Sequence, residues 1–206
     1  NRSQGISVRK PGGRFGSDAE VAGQLRHHGR GAFRQLPDGT IQRVQHDVGG
    51  FGQLLNFITG LPAVTLQPAA GSHGELTGML LMHAYHQKSG HQRSKIIVPD
   101  TAHGTNPASA ALCGYKPIPV ASNAQGILSA EDVAAAMDEE TAGIMVTNPN
   151  TLGLFETNIK EIADIVHAKG GLVYGDGANM NAMMGVAKPG ELGFDVMHYN
   201  LHKTFS

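Results

Sequence analysis

From Phe51 onward the chain alternates between two rhythms. Short runs of consecutive apolar residues each give way to a polar or glycine-containing turn and then to helical spacing. Lys95-Ile-Ile-Val-Pro99, Lys116-Pro-Ile-Pro-Val120, Ala142-Gly-Ile-Met-Val-Thr147 and Gly171-Leu-Val-Tyr174 are such runs, and another follows Asp195. Continuous apolar runs of this length fit strands covered on both faces. The helical rhythm is clearest after Asn158, where Ile159, Ile162, Ala163 and Val166 share one face and Lys169-Gly170 close the segment. Asn158 predicts an N-cap there, with Glu161 completing a capping box. Ser129 predicts a cap for a helix through 133–137, with Glu131 and Asp132 near its positive end. Residues 53–60 read as the end of a helix with a glycine stop, 62–67 as a strand, and 76–86 as a helix. Strands alternating with helices at this spacing predict a three-layer α/β fold with a mostly parallel sheet and right-handed crossovers.

Polar residues recur where the strands end. His103 follows the run at 95–99, Asn148 the run at 142–147, Asp176 the run at 171–174, and Lys203 the final run. Core packing does not require this recurrence, whereas a shared site at one sheet edge does, because ligands of open parallel sheets sit outside the carboxyl ends of the strands. Pro68-Ala-Ala-Gly-Ser-His-Gly-Glu75 adds small residues just before a helix. Free amides and the helix dipole make such a terminus an anion site, which places Gly71, Ser72 and His73 near a phosphate. A simple N-cap explains the same Gly-Ser turn. Likewise, an Asp after a strand is often a cap, and a Lys at a chain end is often solvated. Together, a carboxylate at Asp176 and an amine at Lys203 suit pyridoxal 5'-phosphate, whose aldehyde bonds a lysine and whose ring nitrogen needs an acidic partner. His83 and His86 lie one helical turn apart, with His91 beyond. Lacking a carboxylate or Cys partner, they read as solvated or core histidines, and no metal site is expected.

Composition narrows the picture. The chain has 206 residues, 40% of them hydrophobic and 16% charged, which suits one soluble domain. A net charge of −1 offers no electrostatic case for nucleic acid or a membrane surface. No apolar run approaches the roughly 20 residues of a membrane span. The single cysteine, Cys113, excludes an internal disulfide and fits a reducing compartment. Residues 1–50 stand apart: rich in Gly, Arg and Gln, and without sustained periodicity. They read as an irregular or disordered basic arm, with 51–206 as the cofactor-binding part.

Four stretches carry a family resemblance: Leu61-Pro-Ala-Val-Thr-Leu-Gln-Pro-Ala-Ala-Gly-Ser-His-Gly-Glu-Leu76, Ala102-His-Gly-Thr-Asn-Pro-Ala-Ser109, Asp176-Gly-Ala-Asn-Met-Asn181 and Asn200-Leu-His-Lys-Thr-Phe205. Their wording resembles the decarboxylating glycine dehydrogenases, the P-proteins of the glycine cleavage system. It is most similar to subunit 2 of the split bacterial form. The resemblance runs from about Leu54 to Ser206. It implies the large domain of a fold-type I pyridoxal phosphate enzyme, with Lys203 as the Schiff-base lysine and Asp176 on the pyridine nitrogen. It further implies His103 stacked on the ring, Ala178 under the opposite face, and Gly71 and Ser72 near the phosphate. The implied reaction decarboxylates glycine and transfers the aminomethyl group to the lipoyl group of the H-protein. Implied partners are subunit 1 and a second copy in a heterotetramer, in the bacterial cytoplasm or a mitochondrial matrix.

Two departures qualify the resemblance. Residues before about Leu54 lack the family's wording, and the chain stops shortly after Lys203 where the family continues. A fragment is therefore expected, and its activity alone is an open question. Asp176 and Lys203 equally suit an aminotransferase, an amino-acid lyase or a desulfurase, and an inactive truncated chain is the non-enzymatic reading. A phosphate-binding P-loop is excluded, since Lys203-Thr204 lacks the preceding glycines.

Overall fold

The computed structural model describes residues 4–8, 33–35, 41–43 and 49–205. In chain order, the elements are strands β1 (Gln4–Val8), β2 (Phe33–Gln35) and β3 (Ile41–Arg43), helix α1 (Gly49–Thr59), strand β4 (Ala63–Thr65) and helix α2 (Gly71–Lys88). Strand β5 (Lys95–Pro99), helix α3 (Thr105–Leu112), strand β6 (Lys116–Val120), helix α4 (Ala130–Ala136) and strand β7 (Thr141–Thr147) follow. Helix α5 (Ile159–Ala168), strand β8 (Leu172–Gly177), a 3-10 turn at Pro189–Leu192, strand β9 (Val196–Asn200) and helix α6 (Leu201–Thr204) complete the set.

Seven strands form one sheet in the order β4-β1-β9-β8-β7-β5-β6. The pairs β6–β5, β5–β7, β7–β8 and β8–β9 are parallel, whereas β1 is antiparallel to both β9 and β4. The expected α/β fold with a mostly parallel sheet is what forms. Side chains alternate across the sheet and divide the core into two layers. Ile97, Ile144, Val146 and Val173 pack on one face with Val133 of α4 and with Ile159, Ile162 and Val166 of α5. Ile96, Val98, Met145 and Tyr174 pack on the other with Met79 and Met82 of α2 and Ala110 of α3. A third cluster, built on Leu55, Leu61, Met197 and Tyr199, closes the β9 end.

The expected caps divide. Ser129 accepts a hydrogen bond from the Asp132 amide at 3.1 Å, as a capping side chain does. Asn158 precedes α5 but makes no side-chain cap bond. Its Nδ2 donates instead to the Leu128 carbonyl at 3.0 Å, tying α5 to the segment before α4. A competing tertiary acceptor redirects the amide, which local sequence could not reveal. Helix α2 starts at Gly71, earlier than the sequence spacing suggests, so the small residues form its first turn instead of preceding it. The irregular arm expected at 1–50 falls largely outside the described residues. Within it β1 is an inner strand of the main sheet, and β2 and β3 pair with one another.

Candidate functional site

The parallel strands deliver their carboxyl ends to one edge, where a cavity of about 540 Å³ opens. All six residues singled out for the cofactor line it: Gly71, Ser72, His103, Asp176, Ala178 and Lys203. They come from the first turn of α2, the β5–α3 loop, the end of β8 and helix α6. His73 and Asn148 are not among the lining residues, although Thr147, Pro149 and Asn150 beside Asn148 are.

Asp176 lies within β8 rather than after it, 7% exposed, and is surrounded by donors. The Ala178 amide donates to Oδ1 at 3.0 Å, and Asn106 Nδ2 donates to Oδ2 at 3.0 Å. His198 Nε2 lies 3.3 Å from Oδ1. Beneath this sits the Tyr174 hydroxyl, 2.5 Å from His198 Nδ1. Complete burial pushes the Tyr174 phenol well above its ordinary range, so it stays protonated. A buried hydroxyl left undonated is costly, and the Tyr174 proton therefore goes to Nδ1, leaving His198 protonated on Nε2. Burial lowers the His198 pKa despite the upward pull of Asp176 and Glu75. The imidazole beside Asp176 is thus neutral, and the negative charge of Asp176 has no cation among these neighbours. Among the described residues, His198 Nε2 and Asn200 Oδ1 are buried without a hydrogen-bond partner, and both residues line the cavity.

Helix α2 comes unusually close to the two strands that carry these groups. A methyl group at Gly71 would stand 3.0 Å from Asn200 Oδ1, one at Gly74 3.0 Å from His198 Cβ, and one at Gly78 2.3 Å from Tyr174 Cε2. The three glycines share one helix face, and their missing side chains bring the start of α2 to the cavity. No side chain caps that terminus. Its first-turn amides are therefore not taken by an N-cap, and they suit a bound anion.

Sequence reasoning missed Glu75, Thr105, His198 and Asn200, all of which line the cavity. Glu75 is 4% exposed, and its oxygens accept from Thr105 Oγ1 at 2.7 Å, Asn106 Nδ2 at 3.0 Å and Ser109 Oγ at 3.5 Å. The Asn106 amide thus bridges two carboxylates, which fixes its orientation, since the reverse would set its oxygen against acceptors only. Glu75, Asp176 and His198 each offer a ligating atom within 4.8 Å of one another. Hydrogen bonds to Thr105, Asn106, Ser109 and Ala178 engage the oxygens of Glu75 and Asp176, and the Tyr174 hydroxyl engages His198 Nδ1. Away from the cavity, His86 bonds the Ala142 carbonyl and His83 bonds Gln87, which accounts for both as packing residues.

The residues present fit pyridoxal phosphate: an uncapped helix terminus for an anion, a buried carboxylate whose described hydrogen-bonding neighbours carry no cation, and a lysine in the same lining. Residues 68–191 match the DegT/DnrJ/EryC1/StrS aminotransferase family. The chain is 54% identical over 171 residues to a protein of Alkaliphilus oremlandii named "probable glycine dehydrogenase (decarboxylating) subunit 2", covering 82% of this chain and 35% of that protein. It is 59% identical over 152 residues to the Chloroherpeton thalassium protein of the same name, covering 74% and 31%. The chain thus spans about a third of the length of these relatives. A match of 180 residues to the Bacillus licheniformis relative is longer than the stretch from Leu54 to Ser206, so similarity reaches into the N-terminal stretch. Among solved structures, an inhibitor-bound glycine decarboxylase (P-protein) superposes with a TM-score of 0.61 at 19% identity, over 94% of this chain and 43% of that one. A chain of the SepCysS–SepCysE N-terminal domain complex gives 0.60 at 14% identity, over 97% and 52%. At such identities these two share the fold.

Proposed function

Since the chain belongs to the DegT/DnrJ/EryC1/StrS aminotransferase family, we propose that its cavity holds pyridoxal 5'-phosphate and serves the decarboxylation of glycine, with transfer of the aminomethyl group to the lipoyl disulfide of a carrier protein. One observation carries the cofactor: Asp176 of β8 and Lys203 of α6 line one cavity with an uncapped helix terminus. Identities of 54% and 59% to relatives named for glycine dehydrogenase support glycine as the substrate.

When bound, the cofactor supplies an electron sink for the pair left on the substrate carbon as the carboxyl group departs. The chain's residues do the rest. Asp176, held by the Ala178 amide and Asn106, keeps an acceptor and a negative charge facing the ring nitrogen. The neutral His198 behind it preserves that charge. The Gly71 and Ser72 amides at the start of α2 would hold the phosphate, and His103 and Ala178, which line the same cavity, would hold the ring. Lys203 would be the amine that holds the cofactor through its aldehyde and, once freed, a base placed to move protons near the substrate carbon. Overall the bond to the carboxylate breaks and CO₂ leaves. A C–S bond then forms to one lipoyl sulfur, and the other sulfur takes a proton as the S–S bond opens. The relatives' name, subunit 2, supports a partner subunit; a heterotetramer and the lipoylated H-protein complete the proposed assembly, in a cytoplasmic setting.

Borohydride reduction followed by peptide mapping tests the cofactor. The expected product is a pyridoxyl group on Lys203; a label elsewhere, or none in the assembled protein, would refute the assignment. Exchange of labelled CO₂ with the glycine carboxyl tests the reaction and separates it from transamination. Lys203→Ala is expected to lower that exchange by at least the roughly 10²–10⁴-fold of a positioned acid–base group.

A further inference from the structure

Glu75 has no part in the scheme above, yet it lines the cavity and accepts three side-chain hydrogen bonds. It is a buried carboxylate whose three side-chain partners, Thr105, Asn106 and Ser109, all belong to α3. Burying a carboxylate costs several kcal/mol unless donors surround it. Here every partner is a donor, which is the environment of the ionised form.

The Thr105 hydroxyl stands between two groups. Its Oγ1 is 2.7 Å from Glu75 Oε1 and 2.7 Å from His103 Nδ1. A hydroxyl has one proton, and the carboxylate has none to give. A hydrogen bond to a charged acceptor is roughly twice as strong as one between neutral groups. The proton therefore goes to Glu75, and Oγ1 presents only lone pairs to His103. At 2.7 Å, Nδ1 must then carry the ring proton. One contact opposes this: the Thr105 backbone amide lies 3.3 Å from the same Nδ1 and favours the other tautomer. It is the longer of the two contacts and has no charge behind it.

We propose that Glu75 is a positioning residue which, through the Thr105 hydroxyl, fixes His103 as its Nδ1–H tautomer and makes Nε2 the ring's proton acceptor in the cavity. A bound amino group then meets a lone pair on His103 rather than a second N–H. This rests on the pyridoxal reading only for what the acceptor acts on; the tautomer belongs to the chain itself.

The test is nitrogen NMR of the full protein labelled with 15N-histidine, at about pH 8, above the ordinary imidazole range. Long-range proton–nitrogen correlations report which ring nitrogen is protonated, and loss of a signal in His103→Gln assigns it among the 11 histidines. The wild type is expected to show Nδ1–H. Glu75→Gln places an amide N–H against Thr105 Oγ1, turning the hydroxyl proton toward His103 and shifting the ring proton to Nε2. Thr105→Val removes the hydroxyl, leaves the backbone amide donating to Nδ1, and gives the same shift even if the buried Glu75 change prevents folding. A wild-type ring protonated on Nε2, or a folded variant of either kind that keeps Nδ1–H, overturns the proposal. Borohydride trapping on Lys203 in the same samples distinguishes the two readings. Trapping with an unmoved tautomer defeats the relay alone, and a shifting tautomer without trapping defeats the cofactor alone.

Discussion

The surroundings of Asp176 are set by the residues packed behind it. The Tyr174 hydroxyl fixes the His198 tautomer, and the neutral His198 leaves Asp176 as an uncompensated carboxylate. Tyr174→Phe removes the hydroxyl and leaves Nδ1 buried without a donor, which costs about 1–3 kcal/mol. Chemical denaturation should show that loss, and cofactor affinity should fall with it as His198 becomes free to take the other tautomer. An unchanged affinity in a destabilised variant would confine Tyr174 to a packing role. At this scale the sequence was half informative. Asp176 and Lys203 were legible because a carboxylate and an amine, each commonplace alone, follow two apolar runs and together suit one chemistry. Glu75 and His198 were not, since Glu75 ends the small-residue stretch before a predicted helix and His198 lies inside the final apolar run. Only the close approach of α2 to β8 and β9 turns them inward to one another.

That approach is the work of one element. Glycines at 71, 74 and 78 weaken α2 as a helix, and each costs about 1 kcal/mol relative to alanine. Gly78→Ala recovers that propensity but sets a methyl 2.3 Å from the ring of Tyr174, which is fully buried and has nowhere to move. Overpacking of this kind costs about 1–3 kcal/mol, so the variant should be less stable and its cavity wider. Gly104→Ala is the control, since no atom lies within 4 Å of its added methyl, and its melting temperature should stay near wild type. Equal stability of the two variants would contradict the packing argument. The loop after β7 is built differently. Asn150 Nδ2 donates to Glu156 Oε1 at 2.9 Å, the Leu128 amide donates to Glu156 Oε2 at 2.7 Å, and the Glu156 amide donates to Asn148 Oδ1 at 3.0 Å. Glu156→Ala strands two buried donors and should cost about 2–3 kcal/mol by denaturant titration. Strands and helix α5 were readable because runs and periodicity are local signals. The Asn158 cap and this loop were not, because their partners lie some thirty residues away or across the loop.

At the scale of the molecule, stability and function meet on α2. Its amino end reaches the cavity through Gly71 and Ser72, and its far end is pinned to β7 by His86, 2% exposed, whose Nε2 donates to the Ala142 carbonyl at 2.8 Å. Burial lowers the His86 pKa to about 4, with Arg93, His91 and His83 adding to the depression and the carbonyl opposing it. In the unfolded chain an imidazole titrates near 6.5. Between these values the unfolded chain binds a proton that the folded chain refuses. The His86 contribution is therefore complete above about pH 6.5, falls as the medium becomes more acidic, and is lost below about pH 4. At 1.36 kcal/mol per pH unit the full loss is about 3 kcal/mol. His86→Gln keeps a donor for Ala142 and removes the titration. The gap between urea midpoints at pH 7.5 and pH 4.5 should therefore narrow in the variant relative to wild type. If both proteins lose the same stability on acidification, His86 is not the group that titrates, and the acid limb belongs elsewhere. If the gap narrows, the far end of the helix that carries Glu75 is held by a neutral imidazole, and acidification that loosens it should weaken phosphate binding at its amino end in the same pH interval.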